Sequence, residues 1–415
     1  MDTGILSIIL NLLPWHFPAQ GPLSTLLFIF NLALFTLFTL LSLTRLFLHP
    51  RYVHRSTLSS EEELSFLGAP ATAYLTLVAQ VSLTCSTAWG YNWGVLAYVL
   101  WWIGLVWTVS LCGFHVIVLA KRDITEDRKL SPVILLPLIS VMTLGTTGGI
   151  VTNYSIGLTA SMGVPVIVVG FMCIGYALFL ALLYYAFLLH KLLAVGLPPP
   201  AKIPSLVIMV GPVGQFATAI QVLSTAANSK GMFASYGQGT WLQGQAASSV
   251  SAAATLLALF ALGFGVLWIS VSWYVVVEAM VKRSLPFSLA WWSLIFPMGR
   301  FLSFFCFPSL PSSSFFSLSF FSRLWILTNI SLGVFTTGLL NLSVSLNSTA
   351  FRGLTTALLI FMFIVYFVNW GGTLYRLYTK QALGVPQQRE EEDEQAKQKK
   401  DRIDRYIVRD GVSNA

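Results

Sequence analysis

Long apolar runs separated by short polar segments set the pattern of this chain, and most of them are long enough to cross a bilayer. They fall at Gly4–Leu13, Leu23–Leu48, Phe66–Cys85, Gly94–Ala120, Pro132–Val151, Val164–His190, Pro204–Ser224, Ser249–Val281, a run split into Ala290–Gly299 and Val334–Leu346, and Leu354–Leu377. A stretch of ~20 apolar residues, rising ~1.5 Å per residue, spans a ~30 Å hydrocarbon core. The pattern therefore predicts an all-α polytopic membrane protein of ten transmembrane helices. The first run is about half a crossing in length, with neither the basic n-region nor the cleavage site of a signal peptide, so further chain is expected upstream of Met1.

The polar segments differ in charge. Arg51, Arg55, Lys121, Arg122, Arg128, Lys129, Lys191, Lys202, Lys282 and Arg283 follow even-numbered runs, whereas the opposite set holds Lys230 and Arg352. Basic loops stay on the cytoplasmic side, so both termini are expected there. The glycosylation triplets at Asn153 and Asn347 fall on the side this assigns to the exterior.

Short outer turns pair each odd run with the next even one, giving five helical hairpins. The helix breakers gather on the odd runs: Pro70 on the third, Pro132 and Pro137 on the fifth, Gly211-Pro212-Val213-Gly214 on the seventh, Phe296-Pro297-Met298-Gly299 on the ninth. Irregular backbone at membrane depth is tolerated where protein or a water-filled cavity covers it. Odd runs are thus expected to line a central path and even runs to face lipid. The odd runs also hold neutral polar and small residues, among them Thr3, Gly4, Thr143, Thr146, Thr147, Gly148, Gly149, Gln215, Thr218, Thr336, Thr337 and Gly338. Hydroxyls, amides and broken helix ends without an array of carboxylates suit an anion that must bind weakly enough to leave. The same small residues equally serve close helix packing.

Composition excludes other classes. With 56% hydrophobic and 10% charged residues the chain is not a soluble domain. Its net charge of +8 resides in the loops, where membrane orientation accounts for it, so no nucleic-acid partner is implied. Cys85, Cys112, Cys173 and Cys306 lack metal-ligand spacing, and His115 reads as a packed histidine bonded to a neighbouring helix. No nucleophile–base pair or ligand cluster stands out, so neither an enzyme, a metal site nor a cofactor is expected.

One stretch breaks the pattern. From Arg300 to Gly333 the chain is dominated by Phe, Leu, Ser and Pro, whose codons can be written almost wholly in pyrimidines, as in the tract before the end of an intron. Removing it joins Gly299 to Val334 and restores an uninterrupted ninth run. Residues 300–333 are read as a translated, unspliced intron, the alternative being a genuine extra span or loop. The transmembrane domain is then 1–378, and 379–415 forms a charged cytoplasmic tail.

Ten runs in five hairpins, the opening Met1-Asp2-Thr3-Gly4, Gly211-Pro212-Val213-Gly214-Gln215 on the seventh run and WWSLIFPMG followed by VFTTGL on the ninth resemble the tellurite-resistance/dicarboxylate transporter superfamily. Within it the likeness is to the fungal sulfite efflux pumps. The superfamily also holds the yeast malate transporter and the plant slow anion channels. The likeness extends over the chain apart from 300–333 and the tail. It implies a homotrimer with one pore per subunit, lined by odd helices and kinked at residues such as Pro70, Pro137, Pro212, Pro297 and Gly299, with Phe296 as the gate. It implies export of sulfite or another small anion, such as malate, across the plasma membrane. The split ninth run admits a second class of role, a non-transporting splice product that associates with full-length subunits.

Overall fold

The computed structural model describes residues 1–122, 131–198, 200–281 and 329–378. Phe296, Pro297, Gly299, most of the 300–333 segment and the 379–415 tail lie outside the described residues. The described part is helical: α1 (Asp2–Leu12), α2 (Gln20–Leu48), α3 (Pro50–Ser59), α4 (Glu61–Ser65), α5 (Gly68–Gln80), α6 (Ser86–Trp89), α7 (Tyr91–Arg122), α8 (Leu136–Tyr154), α9 (Ala160–Val195), α10 (Gly211–Ala227), α11 (Met232–Tyr236), α12 (Gly244–Val281), α13 (Asn329–Ser345) and α14 (Thr349–Tyr378). Eight helical stretches among these residues are long and apolar enough to cross a membrane, and α1 and α13 supply shorter apolar helices. The chain is a polytopic membrane protein.

Local sequence explains the ends. Ser60 caps α4 by accepting the Glu63 N–H at 3.4 Å, and Glu61, Glu62 and Glu63 place acid at the positive end of that helix. A π-turn, Val81–Cys85, links α5 to α6, and Gly90 at φ 84° turns the chain sharply into α7. Pro70, Pro132, Pro137 and Pro212 sit at joints rather than in mid-helix, whereas Pro165 lies inside α9. A 3-10 turn, Pro132–Leu135, precedes Pro137 at the start of α8, and a longer one, Pro200–Val210, precedes Pro212 at the start of α10. The N–H that proline lacks is least missed in a first turn. Pro70 likewise lies in the first turn of α5, with its side chain exposed, and is not a kink.

The described residues up to Asn369 belong to one compact unit, and the last turns of α14 group with a second. Within the first unit the helices sort into two layers. Along their most apolar windows, 94% of Pro132–Tyr154 and 100% of Ser205–Ala227 is buried, against 17% of Gln20–Leu48 and 28% of Tyr91–Lys121. The buried set is α1, α5, α8, α10 and α13, the odd runs. Each packs on the next, and α13 closes on α1, so the five form a ring.

The ring helices run parallel, as their paired positions advance together. Gly68 abuts Leu136 and Pro137 while Ser82 reaches Ser155; Gly145 abuts Ala219 while Gly149 abuts Val222; Gly214 abuts Phe335 while Gln221 reaches Gly338. Glycine at these crossings lets backbones touch. A Cβ on Gly214 would stand 2.7 Å from the Phe335 nitrogen. Helix α13 begins at Asn329, within the segment read as an insertion, and Leu332 and Gly333 are buried.

Candidate functional site

Polar side chains in the ring sit on its seams. Between α1 and α5 the Gln80 amide donates to Ser7 Oγ, which donates in turn to the Ser24 carbonyl of α2 at 2.7 Å. Between α5 and α8, Thr147 Oγ1 reaches the Leu75 carbonyl at 3.4 Å. Across the α8/α10 seam Gln215 Nε2 donates to Thr146 Oγ1 at 2.9 Å, and Asn153 Nδ2 to the Val222 carbonyl at 2.9 Å. Across α10/α13, Thr218 Oγ1 lies 2.9 Å from Thr337 Oγ1 and 3.0 Å from the Val334 carbonyl, and Gln221 Nε2 meets the Gly338 carbonyl at 3.2 Å. Van der Waals contact joins α13 to α1, where Gly333 packs against Ile5. Burying such a group without a partner costs roughly 2–7 kcal/mol, so the seams are where these residues belong.

Other threonines expected on the central path are also paired. Thr336 donates to the Leu332 carbonyl at 2.6 Å, Thr337 to Val334 at 2.7 Å and Thr143 to Ile139 at 2.7 Å, all within their own helices, while Thr3 shares a hydrogen bond with Tyr366 of α14 at 2.9 Å. Gly4 packs against Thr76 and Asn31, Gly148 against the Trp101 indole, and Gly211 starts α10. Thr3, Gly4 and Gly148 meet other helices, while the hydroxyl protons of Thr143, Thr336 and Thr337 are engaged within their own.

Thr146 differs. From Leu136 to Thr152 it is the one residue of α8 that is not buried, and its hydroxyl accepts from Gln215. Its neighbours on the helix take the other directions: Gly145 and Gly149 face α10, Gly148 meets Trp101 of α7, and Thr147 reaches α5. Successive helical residues are turned by ~100°, so Thr146 points between α5 and α10, into the ring. The structure thus brings Thr146 and Gln215 together there as a neutral hydroxyl–amide pair.

A second polar set escaped the sequence reading. Asn11, Thr84, Asn153, Thr225 and Asn341, none of them buried, lie toward the C-terminal ends of the five ring segments, which the parallel arrangement brings to one end of the ring. Their signal was an amide or hydroxyl near the end of every odd run. Asp2 is the one charged residue on the described ring helices; it is buried, and neither carboxylate oxygen has a hydrogen-bond partner.

Outside the ring, buried His115 bonds Ser65 Oγ through Nε2 at 3.0 Å, the packed arrangement expected of it. Cys85, Cys112 and Cys173 are free thiols, buried in the structure. Among the described residues no group of His, Cys, Asp or Glu is placed to hold a metal. A neutral hydroxyl and amide are groups that can hydrogen-bond a small anion without holding it by charge.

Comparison with known proteins agrees in kind. Residues 1–306 match the family profile described as voltage-dependent anion channel. A sulfite efflux pump of Arthroderma benhamiae is 27% identical over 301 residues, covering 72% of this chain and 77% of that protein. A putative malic acid transport protein of Schizosaccharomyces pombe is 23% identical over 303 residues, covering 71% and 67%. An uncharacterized transporter of Methanocaldococcus jannaschii is 23% identical over 312 residues, covering 73% and 79%.

Proposed function

We propose a specific transport activity from one premise: the chain belongs to the voltage-dependent anion channel family, and is an anion transporter of the membrane. The proposed substrate is sulfite, exported across the plasma membrane through the interior of the five-helix ring. The observation that carries the reading is the ring itself: five parallel buried helices whose Thr146 and Gln215 form a neutral, hydrogen-bonding pair. Similarity to the sulfite efflux pump supports sulfite, and similarity to the malic acid transport protein keeps a C4-dicarboxylate as the second substrate.

The proposal includes ten spans in five hairpins, with the five ring helices inside and α2, α7, α9, α12 and α14 outside. It places both termini and the 379–415 tail in the cytoplasm, on the charge bias of the loops. Three such subunits assemble, each with its own path, and Phe296 closes that path. Sulfite and malate efflux from vesicles containing the purified chain tests the substrate. Sulfite flux well above that of empty vesicles, with little malate flux, is expected, and the reverse ranking would transfer the assignment to dicarboxylates. In the same vesicles Phe296→Ala is expected to raise basal flux per molecule; equal or lower flux would remove Phe296 as the gate.

A further inference from the structure

Helix α3 is held at the membrane surface by both of its ends. Helix α2, a candidate span, stops at Leu48; His49 leaves helical geometry at φ −134° and ψ 56°, and Pro50 starts α3 at once. The chain therefore changes direction where it leaves the bilayer. At the far end of α3, Leu58 is buried in a small cluster with Leu64 of α4 and Val118. Val118 lies four residues before the end of α7, beside exposed Lys121. Helix α3 is thus laid across the ends of two membrane helices, on the face to which the basic loops belong.

Arg51, His54 and Arg55 recur at spacings of three and four residues, so they share one face of α3, and all three are exposed. Of the nearby acids, Glu61, Glu62 and Glu63 sit in the first turn of the next helix, α4, and a Glu61 oxygen accepts the Ser131 N–H at 3.2 Å. Two guanidiniums on a short helix at the bilayer boundary match one ligand chemistry, a phosphate ester with net negative charge. Arginine binds that group through two parallel N–H donors. The leaflet that α2 has just left supplies it.

We propose that the Arg51, His54 and Arg55 face of α3, flanked by Lys121, binds the headgroup of an anionic phospholipid. The inference rests on α2 and α7 crossing the bilayer and is independent of the substrate. Juxtamembrane basic residues favour anionic over zwitterionic lipid by about fivefold each. The full chain, reconstituted in phosphatidylcholine, is probed with spin-labelled phosphatidylserine and spin-labelled phosphatidylcholine. Several-fold selectivity for phosphatidylserine is expected. It should vanish in Arg51→Gln/Arg55→Gln and largely persist in Arg51→Lys/Arg55→Lys, with unchanged unfolding temperatures showing that both variants fold. Equal selectivity in the wild type and the glutamine variant overturns the assignment. Selectivity that emerges only when the chain ends at Tyr378 also overturns it, since the acidic run Glu390–Glu394 would then be the occupant.

Discussion

A hydroxyl in a membrane helix acts according to where its proton is already committed. Thr143 and Thr146 are one turn apart on α8 and look alike in sequence, yet Thr143 gives its proton to Ile139 while Thr146 accepts from Gln215 and stands open to the ring interior. Thr146→Val keeps the shape, removes the hydroxyl and strands the Gln215 amide. It is expected to lower sulfite flux about tenfold, the worth of one hydrogen bond to a charged partner, whereas Thr143→Val should leave flux within about twofold. Efflux per molecule in vesicles checks both, and equal effects would dissolve the distinction. Which threonine was which could not be read from the chain. The residue types announced neutral hydrogen bonding, but whether a proton is held within its helix depends on rotamer and on what the neighbouring helix presents. Asp2 shows the same limit: its charge was plain in the sequence, but not that its carboxylate oxygens would lack a hydrogen-bond partner in the fold.

The breakers in the odd runs were legible as breakers, and at Pro70, Pro137 and Pro212 the structure puts them in the first turn of an α-helix, a place proline tolerates as well as a bend. At Pro212 the structure shows what the break requires. A 3-10 turn runs into α10 here, and proline has no N–H to offer the Met209 carbonyl three residues back. That carbonyl is taken by the Tyr185 hydroxyl of α9. The Tyr185 ring is fixed independently, stacked on Trp268 with centroids 5.8 Å apart and edge-on to Phe264 at 5.2 Å. Tyr185→Phe therefore deletes the hydrogen bond and keeps the packing. It is expected to destabilise the protein by about 1–3 kcal/mol, the cost of a buried unpaired carbonyl, seen as a lower unfolding temperature in detergent. An unchanged temperature would mean that the carbonyl finds another donor. Sequence gave no warning of this contact, since 27 residues separate Tyr185 from Pro212 and only the fold makes them neighbours.

At the scale of the molecule, the division into an inner and an outer layer follows from the distribution of small, polar and helix-breaking residues between odd and even runs. The closing seam between α13 and α1 was not foreseen, and it bears on the Arg300–Gly333 segment. A Cβ on Gly333 would lie 2.9 Å from Ile5 Cγ2 and 3.1 Å from Met362 Cε, so any side chain before Val334 would have to push these two residues aside where α13 closes the ring. Deleting residues 300–333 puts Gly299 at that place and Met298 where buried Leu332 stands, so the junction restores both the glycine and an apolar neighbour. It also removes Arg300, whose charge at mid-bilayer would cost about 2.5–3.5 kcal/mol on insertion scales. A shorter transcript joining Gly299 to Val334 is therefore expected, with a product that exports anion at least as fast as the long form. Valine in place of Gly299 in the short form should destabilise it by about 1–3 kcal/mol through overpacking against α1 and α14. Transcript sequencing, efflux from cells producing each form and the unfolding temperature of the Gly299→Val variant check the three parts. If only the long message exists and its protein carries anion normally, the segment is a working part of the transporter, and the glycine that closes the ring is Gly333 itself.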